Sequence, residues 1–517
     1  MGGDPDRPAT PAAPSAGSRR RGSRAALVGA VVLALLWLAN QLGVAAGAIP
    51  GRPLPWLWLA VPLAVIGLRD QRPWPWLSRA CDAARRLSPA LLAVGIVALV
   101  SLVWALAQRV DPYFGHDEAV YATKARALAG IAPASQWEIY RPPLLPVLGA
   151  PVTALGGGVL ALRLITLVLA VATLAVLAWS AGAREHPRRA AVTVLLFVCG
   201  FAFLRRLPEF LNDLAAAGLL LAAAELVVRS RRPGQARLLV AASGLAVVGF
   251  YLRYGVLLGL AAIVLGAVAA FGVRTWARPL RPTLVAAGVF VLGLMPHLIW
   301  AWATVGTPWG VLTVAEGVAG RTYLGQGLLE YAVSIPWLYV GDVGGLVMAA
   351  GVVAGYLGLR ARVRGSATEA DLRSVVLSVA AITQVVVLGI TAHGEERFVF
   401  FPLMALLVVG VDAIARWAGA WSAPVLLVAA CAALLGMPAT LHWIAHVSFK
   451  QVTDERRSIA SAATHVPRSN GCLVVTGYRP EMGWDTRCAT VTRLDSVPAA
   501  LRAGRVVTVV RFSHGRY

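Results

Sequence analysis

Apolar residues fall in long runs separated by short polar connections. A helix that crosses a bilayer needs about 20 mostly apolar residues. About thirteen such runs occur, near 26–48, 55–69, 90–108, 158–180, 189–205, 211–229, 237–251, 254–272, 284–303, 342–360, 374–391, 397–416 and 423–442. The pattern predicts an all-α polytopic membrane protein with about 13 transmembrane helices. After 442 the rhythm changes. Short β-type runs at 473–476, 489–492 and 506–511 predict a small α/β unit. It is too small for a large core of its own and is expected to dock on the helices. No internal repeat and no heptad array is present.

Charge orients the runs. Charged residues make up 14% of the chain and hydrophobic residues 58%, against about 25% charged in a soluble domain. That excludes an ordinary soluble enzyme and a disordered chain. The net charge of +22 could by itself suggest nucleic-acid binding, but basic residues between apolar runs are the mark of a polytopic membrane protein, and no nucleic-acid partner is expected. Arg19, Arg20, Arg21 and Arg24 precede the first run, in a Pro/Ala/Gly/Ser-rich stretch read as a disordered cytoplasmic leader over 1–25 rather than a cleavable signal. From an inside start, alternate connections should be basic. They are, at 69–86, 184–189, 229–237, 274–281 and 360–373. This places a membrane domain over 26–442 in the cytoplasmic membrane, with the N-terminus inside. The loops 109–157, 304–341 and 392–396 and a domain over 443–517 lie outside. Cys472 and Cys488 fall in that external domain, where a disulfide is permitted, and are expected to pair; two free thiols are the alternative.

The candidate chemistry sits on the external side. The loop after the third run carries Asp117-Glu118, followed by Tyr121 and Arg141-Pro-Pro-Leu. Consecutive residues on a helix point about 100° apart, so one acid faces a substrate while the other caps the helix or pairs with a base. The plain alternative is an acidic helix start at Asp117. Asp213 stands near the outer end of the sixth run, where an ionisable group is a functional candidate by default; the plain alternative is a pair with Arg205 or Arg206. Arg141, Arg205, Arg206, Arg253, Arg321 and Arg397 run against the positive-inside trend. A guanidinium fork binds phosphate oxygens bidentately and keeps its proton; snorkelling to lipid is the alternative for any one of them. His393-Gly-Glu395-Glu396-Arg397 forms a short external turn, either polar filler or a self-neutralising clamp. Trp56, Trp58, Trp74 and Trp76 read as interfacial anchors. No nucleotide-binding loop, dinucleotide fingerprint or metal spacing occurs.

These motifs resemble those of the GT-C class of integral-membrane glycosyltransferases, over most of the chain from about residue 90. His116-Asp117-Glu118 with Tyr121 is similar to the acidic pair of the protein O-mannosyltransferases and the lipid A aminoarabinose transferases. Arg141-Pro-Pro-Leu resembles their Lys-Pro-Pro-Leu, and Leu211-Asn-Asp213 their second acidic site. Leu252-Arg253-Tyr-Gly resembles a Lys-Gly element. His393-Gly-Glu-Glu-Arg397-Phe resembles a His-Lys-Glu-Glu-Arg-Phe run of lipid-linked-oligosaccharide mannosyltransferases. The stretch from Gly477 to Trp484, with Cys488, resembles the external domain of bacterial members. Arg at 141 and Gly at 394 stand where those families carry Lys, and two extra runs precede the acidic loop.

The resemblance implies a hexosyl- or pentosyltransferase. It would move a sugar from a polyprenyl-phosphate donor to a protein, glycolipid or polysaccharide hydroxyl outside the membrane, with inversion. It implies catalytic roles for Asp117, Glu118 and Asp213, with Asp117 as the base. It implies substrate contacts by Tyr121, Arg141, Arg253, Arg321, His393, Glu396 and Arg397, with Arg141 first on the lipid phosphate. Asp117, Glu118 and Asp213 could hold a divalent cation with phosphate oxygens, although the resembled families do not require one. The competing class is a transporter or lipid flippase; the clustering of charge at one face and the lack of a repeat count against it.

Overall fold

The computed structural model describes residues 16–68, 71–133, 139–276, 280–318, 322–467 and 471–512. Arg321 and most of the expected leader lie outside them. α1 (Ala16–Ala45) and α2 (Leu57–Leu68) form the first pair, and α3 (Pro75–Arg86) leads into α4 (Pro89–Val110). α1 begins ahead of the first predicted span, at Ala16, so that the helix takes in the end of the stretch read as a disordered leader. Ser88 caps α4, its hydroxyl accepting from Leu91 N at 3.1 Å, with Pro89 at the first helical position.

α5 (His116–Leu128) and α6 (Leu144–Ala154) occupy the long loop, and α7 (Val159–Ser180) returns across the bundle. The predicted span 189–205 is broken. α8 (Pro187–Val198) stops and α9 (Phe201–Arg206) restarts. At Gly200 between them a Cβ would lie 2.4 Å from the Tyr339 carbonyl, so only glycine lets that backbone approach.

Next come α10 (Asp213–Arg229), α11 (Leu238–Leu252), α12 (Val256–Phe271) and α13 (Leu280–Val305). α14 (Gly310–Val318) and α15 (Gln326–Ser334) follow, then α16 (Gly341–Val363), α17 (Glu369–Thr391), α18 (Phe400–Trp417) and α19 (Ser422–Trp443). All thirteen predicted runs fall on helix. Among the described residues eight helices are long and apolar enough to cross a membrane: α1, α4, α7, α13, α16, α17, α18 with its preceding turn, and α19. α2, α11 and α12 are apolar but shorter. α18 is the axis of the bundle. Phe400, Phe401, Leu403, Met404 and Leu407 are buried, and it packs on α16, α17, α8 and α10.

A π-helical turn, Ile444–Phe449, carries α19 into α20 (Lys450–Thr464) and the tail domain. There β1 (Leu473–Val475), β2 (Ala489–Val491) and β3 (Val507–Val509) form a parallel sheet in the order β2-β1-β3, with Leu473 facing Ala489 on one side and Val507 on the other. Parallel pairing needs crossovers, supplied by α21 (Arg479–Thr486) and α22 (Val497–Arg502). α21 docks on α5. Trp484 meets Phe114 edge-on at 4.9 Å between ring centroids, and the Arg126 guanidinium lies 3.3 Å from the Trp484 ring centroid.

Cys472 and Cys488 are joined by a disulfide, at a sequence separation of 16. A loop of that length should contribute about 3 kcal/mol by limiting the unfolded tail. Cys488→Ser should therefore leave the membrane helices intact while protease cleavage within 471–512 becomes much faster. Unchanged cleavage would show that docking alone holds the tail.

Candidate functional site

The acids and arginines expected on the external side converge at one end of the bundle, around a cavity of about 810 Å³. A smaller pocket marks the opposite end, where Arg189, Arg229, Arg232 and Arg373 of the basic connections gather.

α5 supplies the wall. It starts at His116 with Gly115 as its cap residue, and Glu118 turns back to accept the Gly115 N–H at 3.0 Å. Glu118, rather than Asp117, thus closes the helix start. It is 1% exposed, and both its oxygens are engaged. Arg163 of α7 donates Nε–H to Oε1 and an Nη2–H to Oε2, each at 2.8 Å, and Phe210 N donates to Oε1 at 2.6 Å. The acid at 118 is therefore fully engaged in holding the start of α5. The rest of the Arg163 fork binds Gln108 Oε1 (3.0 Å) and the carbonyls of Asp111 (2.6 Å) and Tyr113 (2.7 Å), so that all five N–H donors are used. A Cβ at position 115 would meet the guanidinium of Arg456, which reaches in from α20 and pairs with Asp111.

Asp117 is the carboxylate of α5 that opens on the cavity. Arg141 pairs with one oxygen and Arg397 with the other. Burial alone would raise its pKa, but the charges of Arg397 and Arg141 hold it far below the usual carboxylate range. Arg141 is placed by Lys124, whose buried ammonium donates to the Arg141 carbonyl at 2.6 Å, and by the rings of Tyr121 and Tyr140, 5.4 and 5.1 Å from its guanidinium carbon. The turn before α18 places Arg397. Tyr331 donates its hydroxyl to the Glu395 carbonyl at 3.3 Å, and Gln384 donates to that of Phe398 at 3.4 Å.

Asp213 is buried and pairs with Arg253, not with Arg205 or Arg206. The reason is local: Asn212 donates to the Leu252 carbonyl, which ties the start of α10 to the end of α11. Arg205 and Arg206 instead share Glu209, at 2.8 and 2.9 Å, and Arg206 also holds Glu396 at 2.6 Å. Glu396 lies behind the cavity wall and orients Arg206. Glu395 is at the wall, paired with Arg397 and 3.2 Å from His393. Burial would raise the Glu395 pKa; the His393 hydrogen bond and the Arg397 charge bring it down to about 2.

Of the residues named from the sequence, Asp117, Glu118, Tyr121, Arg141, Arg253, His393 and Arg397 line the cavity. Asp213 and Glu396 stand behind it, and the disulfide takes no part. Sequence reading missed Arg163, Glu209 and Arg456. Arg163 carried a usable signal, a lone charge at the start of an apolar run; the other two show nothing until the chain is folded.

Six arginines (Arg141, Arg205, Arg206, Arg253, Arg397 and Arg456) and four carboxylates (Asp117, Glu118, Glu209 and Glu395) line the cavity. Asp111, Asp213 and Glu396, just behind the wall, pair with Arg456, Arg253 and Arg206. Of the acids expected to serve a divalent cation, Glu118 is saturated, and Asp117 and Asp213 each face guanidinium. Among the described residues no three His, Cys, Asp or Glu side chains gather as ligands.

No family model matches the chain, and no curated protein matches it. Solved structures do. ArnT from Cupriavidus metallidurans bound to undecaprenyl phosphate is similar at a TM-score of 0.59 and 15% identity, over 80% of this chain and 89% of that one. Its apo state matches at 0.57 and 14% over the same shares. An oligosaccharyltransferase from Archaeoglobus fulgidus, in complex with Zn and sulfate, matches at 0.47 and 13%, over 76% of this chain and 62% of that one. The chain has the fold of the GT-C class of membrane glycosyltransferases.

Proposed function

We propose that this chain is a membrane glycosyltransferase that moves a sugar from a polyprenyl-phosphate donor to an acceptor hydroxyl on the outer face of the cytoplasmic membrane, with inversion. The observation that carries this reading is the gathering of six arginines on the wall of one cavity at one end of the bundle. A polyprenyl-phosphate sugar is a phosphodiester with one negative charge. The phosphate monoester that leaves carries about 1.5–2. The extra charge develops as the anomeric bond breaks, so fixed cations stabilise the transition state more than the ground state. The likeness to ArnT bound to undecaprenyl phosphate supports the same ligand class. The basic connections at the far end support placing the cavity outside.

Arg141 and Arg397 are the first phosphate ligands, with Arg253 beside them. In the structure they hold Asp117. The donor phosphate takes over these two guanidiniums, so Asp117 keeps them in register until the donor arrives. The base role expected for Asp117 requires both to have left it. Asp213 and Glu396 hold Arg253 and Arg206 in place.

Membranes carrying the chain, or its Asp117→Asn form, are given a panel of polyprenyl-phosphate hexoses and pentoses, and products are read by mass spectrometry. Release of free polyprenyl phosphate with sugar on a protein, glycolipid or polysaccharide acceptor is expected from the wild type. The same spectra identify sugar and acceptor. Sugar or lipid moved across vesicles with no release of polyprenyl phosphate would overturn the reading in favour of a transporter.

A further inference from the structure

A second polar pocket, of about 40 Å³, lies between α1, α16 and α19 and shares no lining residue with the catalytic cavity. α16 begins here, and its neighbour α17 ends in the His393–Arg397 turn, so both sites are at the same end of the bundle. α1 is one of the two runs that precede the acidic loop in excess of the resembled families. Its Trp37 and Gln41 are four residues apart and share one helix face. Asp342 enters from the first turn of α16, where a helix start favours negative charge. Trp337, in the turn Ile335–Tyr339, and Trp443, at the end of α19, add two more indole rings to the lining.

The polar atoms of this pocket are buried and unanswered. Asp342 and Trp37 are each 6% exposed and Gln41 3%. Asp342 Oδ2, Gln41 Oε1 and the Trp37 indole N–H have no hydrogen-bond partner among the described residues. No cationic side chain among those residues acts on Asp342, whereas Asp117 and Asp213 each face arginine. A carboxylate buried without a cation is costly. Waters would meet the hydrogen bonds but not the charge. Two open acceptors and one open donor fit a ligand that carries N–H donors on a cation and an oxygen acceptor close by. The pocket has room for about three waters, which suits a primary ammonium and the first atoms of its chain. A trimethylammonium has no N–H for Asp342 and Gln41. The indole rings also suit a cation. Arg52, exposed and next to Pro53 of the lining, lies over Trp443, its guanidinium carbon 4.7 Å from the ring centroid. A guanidinium in that place suits a phosphate attached to the amine.

We propose that this pocket binds the ethanolamine headgroup of a phospholipid in the outer leaflet. The ammonium donates to Asp342 Oδ2 and Gln41 Oε1. The ester oxygen two carbons away accepts from the Trp37 N–H, and the phosphate meets Arg52. The pocket sits where helices end: Trp443 closes α19, Asp342 opens α16, and Pro53 belongs to the connection after α1. Leu35 and Leu42 of α1 are 60% and 58% exposed and offer acyl chains a surface, which a soluble amine would not use. The choice of leaflet rests on the sidedness proposed above; the site itself does not depend on sugar transfer.

The test is native mass spectrometry of the full chain in detergent, incubated with phosphatidylethanolamine, phosphatidylcholine or phosphatidylglycerol of matched acyl chains. The wild type should hold one phosphatidylethanolamine about tenfold more tightly than either of the others, as a charge-assisted hydrogen bond would give. That lipid should also raise its unfolding temperature, because it binds the folded state alone. Asp342→Asn keeps the shape of the side chain and removes its charge, so it should erase both effects. Gln41→Met leaves the charge and removes an acceptor on another helix. It should lower the preference about fivefold, and it carries the test if Asp342→Asn does not fold. The proposal is overturned if phosphatidylcholine is held as tightly as phosphatidylethanolamine, or if the preference survives in Asp342→Asn or, where that variant does not fold, in Gln41→Met. Binding of soluble phosphoethanolamine in the absence of any lipid preference would overturn it as well, in favour of a soluble amine.

Discussion

Arg141→Ala should lower turnover about 10²–10³-fold, the usual cost of removing one fixed donor from a developing charge, and should weaken binding of polyprenyl phosphate. Asp117→Asn should also lower turnover but shift that binding the other way. In the resting site the Asp117 carboxylate occupies both Arg141 and Arg397. The donor phosphate must displace it before either guanidinium is free. An asparagine carries no charge and releases them at once. A charge-assisted hydrogen bond is worth about 1.5–3 kcal/mol net, so even the low end corresponds to about tenfold tighter binding of the lipid phosphate. Turnover still falls, because product phosphate leaves more slowly and the two arginines lose the group that sets their spacing. Binding of radiolabelled polyprenyl phosphate to the detergent-solubilised variants measures both signs. Weaker binding in Asp117→Asn would show that the carboxylate builds the phosphate site rather than competing for it.

The division between what was legible in the sequence and what was not follows the same physics. Span-length apolar runs are legible because the bilayer fixes their length, and all thirteen fall on helix. The break at Gly200 was not legible, because the Tyr339 carbonyl packed against it belongs to a distant part of the chain. Arg141 and Arg397 stood out as cations against the positive-inside trend, and Asp117 as one of two adjacent acids in an external loop. Their mutual pairing could not, since Arg397 and Asp117 are 280 positions apart. Nor could the partner of Asp213. Proximity in sequence suggested Arg205 and Arg206, but Asn212 fastens α10 to the end of α11 and brings Arg253 instead. The tail domain's part was hidden more deeply. Arg456 and Glu481 lie on polar helices that look solvated until α20 and α21 close over α5.

Arg163→Met should be the most destabilising single change in the site region. Arg163 is 1% exposed, and its five donors join Glu118, Gln108 and two loop carbonyls. Met has similar length and keeps the packing of α7 on α5. What it removes is the charge opposite Glu118, itself 1% exposed. Breaking a buried ion pair from one side costs about 3–5 kcal/mol, because the surviving charge stays buried without a partner. The carbonyls of Asp111 and Tyr113 lose their donor as well. The start of α5 would then leave its register, and Asp117 and His116 would move with it. Thermal unfolding in detergent should show a clear drop in midpoint, together with loss of polyprenyl-phosphate binding. The double variant Arg163→Met/Glu118→Gln should recover a large part of the lost stability, since the uncompensated charge is gone, without recovering turnover. That split separates the electrostatic cost of the pair from its role in aiming α5. If Arg163→Met unfolds at the wild-type temperature, the Glu118–Arg163 pair is not what holds α5 in place, and the tail domain's grip through Trp484 and Arg456 must carry that role alone.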